Sequence, residues 1–364
     1  MKKLLGIFLI LCVISLSLAE GASAGETRTV VDQMGHEVVI PAKVERVVIA
    51  SVWPLASVYC LYMGSTEKLV GLDPAIISAA QNSALIRLFP DVVNLPSGFS
   101  QNGSINAEEL LKLAPDVVFY SSGIPEDYDI CKQAGIPAVG FSLSIKKFNA
   151  IDTINSWIEL LGDVMRRDFD TAEFMKYSKN IEALVSNHLK DVNDEKKPRA
   201  IFIHRYDDKS IGVPSGPSWA DFWITASGGV NLAAGNGNGV MSVSMEQIYE
   251  WNPEKIFITN FTPGQPDDLY GNKVGNYDWS NVTAVKNKQV YKMPLGMYRW
   301  YVCNADSPLT LLWMAKQNHP DLFADVDLDA EIKSYYKRFY RLDLSDQDVE
   351  RIYHPSSAAA GGIK

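Results

Sequence analysis

Apolar residues recur at Ile151, Ile154, Ile158, Leu161 and Met165, in the steps of three and four that mark one buried helix face. The pattern pauses at Arg166-Arg167-Asp168-Phe169. Asp170 and Glu173 then offer a capping box for a second run through Phe174, Ile181, Leu184, Val185 and Leu189 to Val192. Residues 146–192 read as a long helical connector. On its N-terminal side, 29–31 and 37–40 read as a hairpin around Gln33-Met34-Gly35. Apolar strands follow at 46–51, 68–72, 116–120 and 137–141, with helices at 54–63, 106–113 and 126–134. Strands and helices in alternation predict a parallel sheet covered by helices. The alternation resumes past the connector. Strands are expected at 200–204, 255–259 and 289–293, helices at 219–226 and 244–251, and closing helices at 307–317, 328–340 and 345–353. The Ser/Ala/Gly tail, 355–364, is expected to be disordered.

Two internal matches flank the connector. Asn106-Ala-Glu108 through Pro115-Asp-Val-Val-Phe aligns with Ser244-Met-Glu246 through Pro253-Glu-Lys-Ile-Phe. Each has a helix N-cap residue, Glu at plus two, Pro at plus nine, an acid at plus ten and then a strand. Arg46 to Trp53 aligns with Arg199 to Tyr206, each a basic residue, an apolar strand and an aromatic seven positions on. The same order on both sides predicts two α/β lobes of similar plan, residues 25–145 and 193–354, joined by the helical connector.

Composition narrows the function. The chain has 364 residues, 47% hydrophobic and 21% charged, with net charge −9. That balance argues against nucleic acid, whose phosphates need clustered Lys and Arg. Lys2-Lys3, the apolar run 4–18 and Ala22-Ser23-Ala24 read as a secretory signal peptide, residues 1–24, ahead of a soluble protein. Cys12 lies inside that apolar run and follows Leu11, where lipoprotein processing wants a small residue. Of the other cysteines, Cys60, Cys131 and Cys303, at least one stays unpaired, and apolar flanks predict buried packing for each.

The run Asn106 to Val118 and its second copy resemble the substrate-binding proteins of ABC importers. The resemblance is to the helical-backbone type (class III) that serves ferric siderophores, haem and cobalamin. The opening Val31-Asp32-x-x-Gly35-x-x-Val38-x-Ile40-Pro41 is similar to the family's start, as are Ala226-Ser-Gly-Gly229-Val-Asn231 and Ala284 to Tyr291. The resemblance implies two Rossmann-like lobes, each a mainly parallel sheet flanked by helices, bridged by one long helix with the ligand cleft between them. It implies a periplasmic, monomeric protein without a permanent cofactor that performs no chemistry. Its partners would be an inner-membrane permease and that permease's cytoplasmic ATPase. Glu108 and Glu246 hold the positions at which such proteins meet permease arginines. Each belongs to the first turn of a helix, where the dipole favours a carboxylate.

Ligands of open α/β sheets lie beyond the carboxyl ends of the strands. Here that points to the segments after Ser51 and Ile203, with 96–103, 215–219 and 296–301 as further linings. Arg205 and Arg299 are candidates for an anionic ligand, although either could pair with Asp207 or Asp306. Trp53, Tyr206, Trp219, Tyr298 and Trp300 are candidate flat walls for a large chelate. His204 is a candidate ligand to a metal or haem. The chain has five His and none in an HxxxH-like pair, which speaks against a bare-metal site built from several His. The arginines favour an anionic ferric siderophore-type chelate as cargo. Haem, a corrinoid, and molybdate or tungstate are the alternatives. A secreted cleft enzyme would need a nucleophile–base pair or metal cluster, and neither is visible. Gly235-Asn-Gly-Asn-Gly239 lacks the spacing of a nucleotide loop.

Overall fold

The computed structural model describes residues 26–101 and 103–361; the expected signal peptide lies outside them. Each lobe is built on a four-stranded parallel sheet. In the first, the order across the sheet is Leu69–Leu72, Val47–Ile49, Val117–Ser121, Ala138–Phe141. In the second it is Val230–Asn231, Arg199–Ile203, Lys255–Ile258, Val290–Lys292. The first strand of each lobe lies between the second and the third in both. Val47 pairs with Val117, and Ile201 with Ile256. These are the strands that the two internal matches equate. All but a few of their side chains are buried, as parallel strands covered on both faces must be.

The opening hairpin forms as expected, Thr27–Val31 against Glu37–Pro41. Its turn is tied down by Asp32. Oδ1 accepts from the main chain of Met34 and His36, and Oδ2 accepts from Gly140 N at 2.9 Å. A Cβ on Gly140 would lie 2.7 Å from the Tyr120 hydroxyl and 2.9 Å from Asp32 Oδ2, so only glycine lets the turn dock there.

The connector is two helices, Ala150–Met165 and Thr171–Leu189. Asn149 caps the first through Asp152 N at 3.0 Å. Arg166 ends it in the left-handed conformation. Asp170 accepts from Glu173 N at 2.7 Å. The expected box is half realised, because the Glu173 carboxylate turns away to Arg338 at 2.7 Å. The largest core cluster passes through the first connector helix. It runs from Val47 and Tyr59 past Ile154, Trp157 and Leu161 to Leu309, Phe202 and Phe257 of the second lobe.

Two features depart from the sequence reading. Arg205–Tyr206, Ile211–Ser215 and Gly239–Val243 form an antiparallel sheet, although Gly212 and Pro214 weaken the strand signal of the middle segment. The tail residues 355–361 are ordered against the protein and include a 3₁₀ turn, Ser357–Ala360; residues 362–364 lie outside the described part. Cys60, Cys131 and Cys303 are all buried and free. Burial pushes the Cys131 thiol up to about 12.

Candidate ligand site

In the first lobe, the strand ends present short polar side chains. Ser51 Oγ accepts from Ser121 N at 3.0 Å, and Ser121 Oγ from Gly123 N at 3.2 Å. Asp73 caps the helix Pro74–Ala80, accepting from Ala75 N at 2.8 Å and from Ser100 Oγ at 2.6 Å. Asp127 is 2% exposed and its Oδ2 has no partner among the described residues. Burial raises its carboxyl pKa, against a hydrogen bond from Ser51. Trp53 is half-buried and packs on the main core cluster.

In the second lobe, His204 follows its strand directly. Its ring stacks on Phe261 at 4.9 Å and stands 5.3 Å from Tyr301. Thr259 Oγ1 reaches its Nδ1 at 3.5 Å. Burial first, and then neighbouring Arg205, push its pKa down to about 4, so the imidazole is neutral at pH 7. Arg205 is exposed. The Arg299 guanidinium stands 5.0 Å over the opposite partner of that stack, the Phe261 ring, and 5.7 Å from the Tyr298 ring. His204, Phe261, Arg299 and Tyr298 therefore form one contiguous run.

Tyr206, Trp219 and Trp300 stand outside that run. They keep 3, 7 and 0% of their surface, and Tyr298 keeps 2%. Tyr206 belongs to the second-lobe core, accepting from Trp279 Nε1 at 3.0 Å. Trp219 meets Phe148 edge-on at 5.3 Å. The 216–218 residues line a separate groove of about 680 Å³ with Lys147 and Asn238. Neither arginine pairs with the acid proposed for it. Asp207 closes a turn onto Lys209 N and Ser210 N, each at 2.8 Å. Asp306 accepts from Met297 N at 2.6 Å, and from Trp300 Nε1 and Tyr336 Oη at 3.0 Å each. It organises the 296–301 loop from beneath. A Cβ on Gly296 would lie 2.0 Å from its Oδ2, so the loop admits only glycine there. Burial pushes this carboxyl up to about 6. Among the described residues, no three His, Cys, Asp or Glu cluster to hold a metal.

Phe261, Thr259 and Asp127 are absent from the sequence-derived candidates, whereas Tyr301 closes the lining segment 296–301 expected there. Thr259 and Phe261 follow a strand end by the same rule that pointed to Ser51 and His204, applied to a later strand of the sheet. Asp127 sits on a helix and carries no sequence signal.

A family model described as "Periplasmic binding protein" matches residues 58–295. The chain belongs to the periplasmic binding proteins. Its relatives include the molybdate-binding protein MolA of Haemophilus influenzae, 28% identical over 365 residues, which span 94% of this chain and 98% of MolA. A periplasmic solute-binding protein from Veillonella parvula superposes with a TM-score of 0.81 at 32% identity, covering 90% of this chain and 97% of that one. The structure of MolA bound to molybdate superposes with a TM-score of 0.74 at 26% identity, covering 87% and 99%. This chain is accordingly a two-lobed periplasmic binding protein of the ABC-transporter type, built as members of a solute-binding family are. Among its described residues, no helix is long and apolar enough to cross a membrane.

Proposed function

We propose that this binding protein captures a small tetrahedral oxyanion of the molybdate and tungstate class and delivers it to an ABC permease. The burial of the aromatic side chains carries this reading. A ferric chelate, haem or corrinoid needs broad apolar walls. Tyr206, Trp219, Tyr298 and Trp300 have their surfaces committed to the core. The strand ends present the half-buried Ser51 hydroxyl, the neutral His204 and the exposed Arg205 instead. Such short donors suit an oxyanion, whose oxygens accept charge-assisted hydrogen bonds. The near full-length relation to a molybdate-binding protein points the same way. In this reading His204 is a hydrogen-bond donor rather than a metal ligand.

Equilibrium dialysis against molybdate, tungstate, sulfate, a ferric siderophore, haemin and cobalamin tests it. Binding of molybdate and tungstate, with sulfate at least about tenfold weaker, is the expected result; a tenfold ratio corresponds to about 1.4 kcal/mol. Binding of any of the three chelates in place of molybdate overturns it.

A further inference from the structure

The Arg299 side chain is the least expected group in the molecule. It is 0% exposed. Its Nε donates to Ala359 O at 3.1 Å and its Nη2 to Gly361 O at 2.6 Å. Its Nη1 has no partner among the described residues. Both acceptors are neutral main-chain carbonyls, and no carboxylate pairs with this guanidinium among the described residues. A buried guanidinium without a counter-charge is costly, and carbonyls offset that cost less well than an anion does.

The two carbonyls belong to the C-terminal segment. It forms a 3₁₀ turn in which Ala359 N donates to Ser356 O at 3.0 Å and Gly361 N to Ala358 O at 2.9 Å. Ala359 is buried, and Gly361 lies against Ser78 of the first lobe. The preceding helix, Asp346–Tyr353, delivers the segment there. Asp348 pairs with Arg87 of the first lobe, and Ile352 O accepts from Leu295 N at 2.9 Å. The segment therefore spans from the second-lobe cleft loop to the first lobe, directly over the guanidinium.

We propose that Arg299 is an anion site that the chain's own segment 356–361 fills, so that this strap and the oxyanion compete for one guanidinium. This rests on the oxyanion reading given above for the ligand, but not for the strap. With the strap docked, Nε and Nη2 are occupied and the site is closed. When it lifts, the guanidinium is released beside Phe261 and His204, where two oxygens of an oxyanion replace the two carbonyls. The apparent affinity for ligand is then the intrinsic affinity multiplied by the fraction of molecules in which the strap is lifted.

Phenylglyoxal, which modifies accessible guanidinium groups, provides a probe independent of ligand, read at Arg299 by peptide mass spectrometry. Three proteins are compared: the full chain, a chain ended after Pro355, and full-length Ala359→Lys, which sets bulk and like charge against the guanidinium without shortening the chain. Arg299 should be protected in the full chain and labelled in both variants. Molybdate should restore protection in the variants and bind them about tenfold or more tightly than the full chain. Protection of Arg299 in both folded variants, or weaker molybdate binding by them, overturns the strap. Labelling of Arg299 in the variants without any molybdate binding supports the strap as the cover of Arg299 and sinks the oxyanion reading alone.

Discussion

His204, half-buried, and Asp306, fully buried, are titratable side chains whose displacements from ordinary behaviour oppose each other. The His204 pKa is pushed down to about 4 from 6.5. Between those values the unfolded chain holds a proton that the folded protein lacks, so this residue's contribution to stability rises with pH across the window. Asp306 is pushed up to about 6 from 3.8. Here the folded protein holds the extra proton, so its contribution is present at low pH and is lost as pH rises through about 6. The two largely cancel in the intact protein. His204→Gln should uncover the Asp306 term. The stability gap between the parent and this variant, from urea melts, should grow by about 3 kcal/mol from pH 4 to 6.5. A gap that stays constant with pH means that the folded protein does not lower the His204 pKa. At this scale the sequence singles out His204 and both arginines as candidates by position alone. It missed Phe261, and it left Asp306 as a partner for arginine, because the loop that folds over Asp306 brings up the Met297 amide and the Trp300 indole instead.

The connector shows what periodicity can and cannot supply at the scale of elements. The apolar steps from Ile151 to Met165 correspond to a helix of the same extent, and the pause at 166–169 to its left-handed end. The reciprocal capping box was half wrong. Cap geometry depends on what else the N3 carboxylate can reach, and Glu173 reaches Arg338, which lies 165 residues away in sequence. Asp170→Ala should therefore cost about 1 kcal/mol in urea melts, the usual worth of an N-cap. Glu173→Ala should cost less, since an exposed ion pair is worth about 0–1 kcal/mol. Equal losses would restore the reciprocal box. The strand Ile211–Ser215 was illegible for a related reason. Gly212 and Pro214 carry weak strand propensity, and the segment is held by its neighbours at Arg205–Tyr206 and Gly239–Val243. The composition of the tail predicts disorder. Its small residues are instead what allow it to lie flat over Arg299.

At the scale of the whole molecule, the matching strand orders make the two lobes comparable surfaces and give the paired acids their meaning. Glu108 lies in the first turn of Ala107–Lys112, whose cap Asn106 accepts from Glu108 N at 3.0 Å. Glu246 lies in the first turn of Met245–Trp251, capped by Ser244. Both are exposed. The Ser244 hydroxyl, and then the residue's own main chain, hold the Glu246 carboxyl below its usual range, so it is ionised at any pH the protein meets near neutrality. Neither acid forms an ion pair among the described residues, whereas neighbouring Glu109 is taken by Lys112 at 2.6 Å. We propose that these two free carboxylates, one per lobe and each at a helix start, orient the protein on a basic permease surface. Charges of this kind act chiefly on encounter and register, and a continuous core through the first connector helix keeps the two lobes in a defined relation. The expected consequence separates docking from capture. Glu108→Ala with Glu246→Ala should leave oxyanion affinity unchanged in dialysis and reduce uptake to background in proteoliposomes carrying the permease and its ATPase. Each single change should leave partial uptake that falls further as salt is raised, because screening weakens the remaining charge. Full uptake by the double variant would remove both acids from the docking surface.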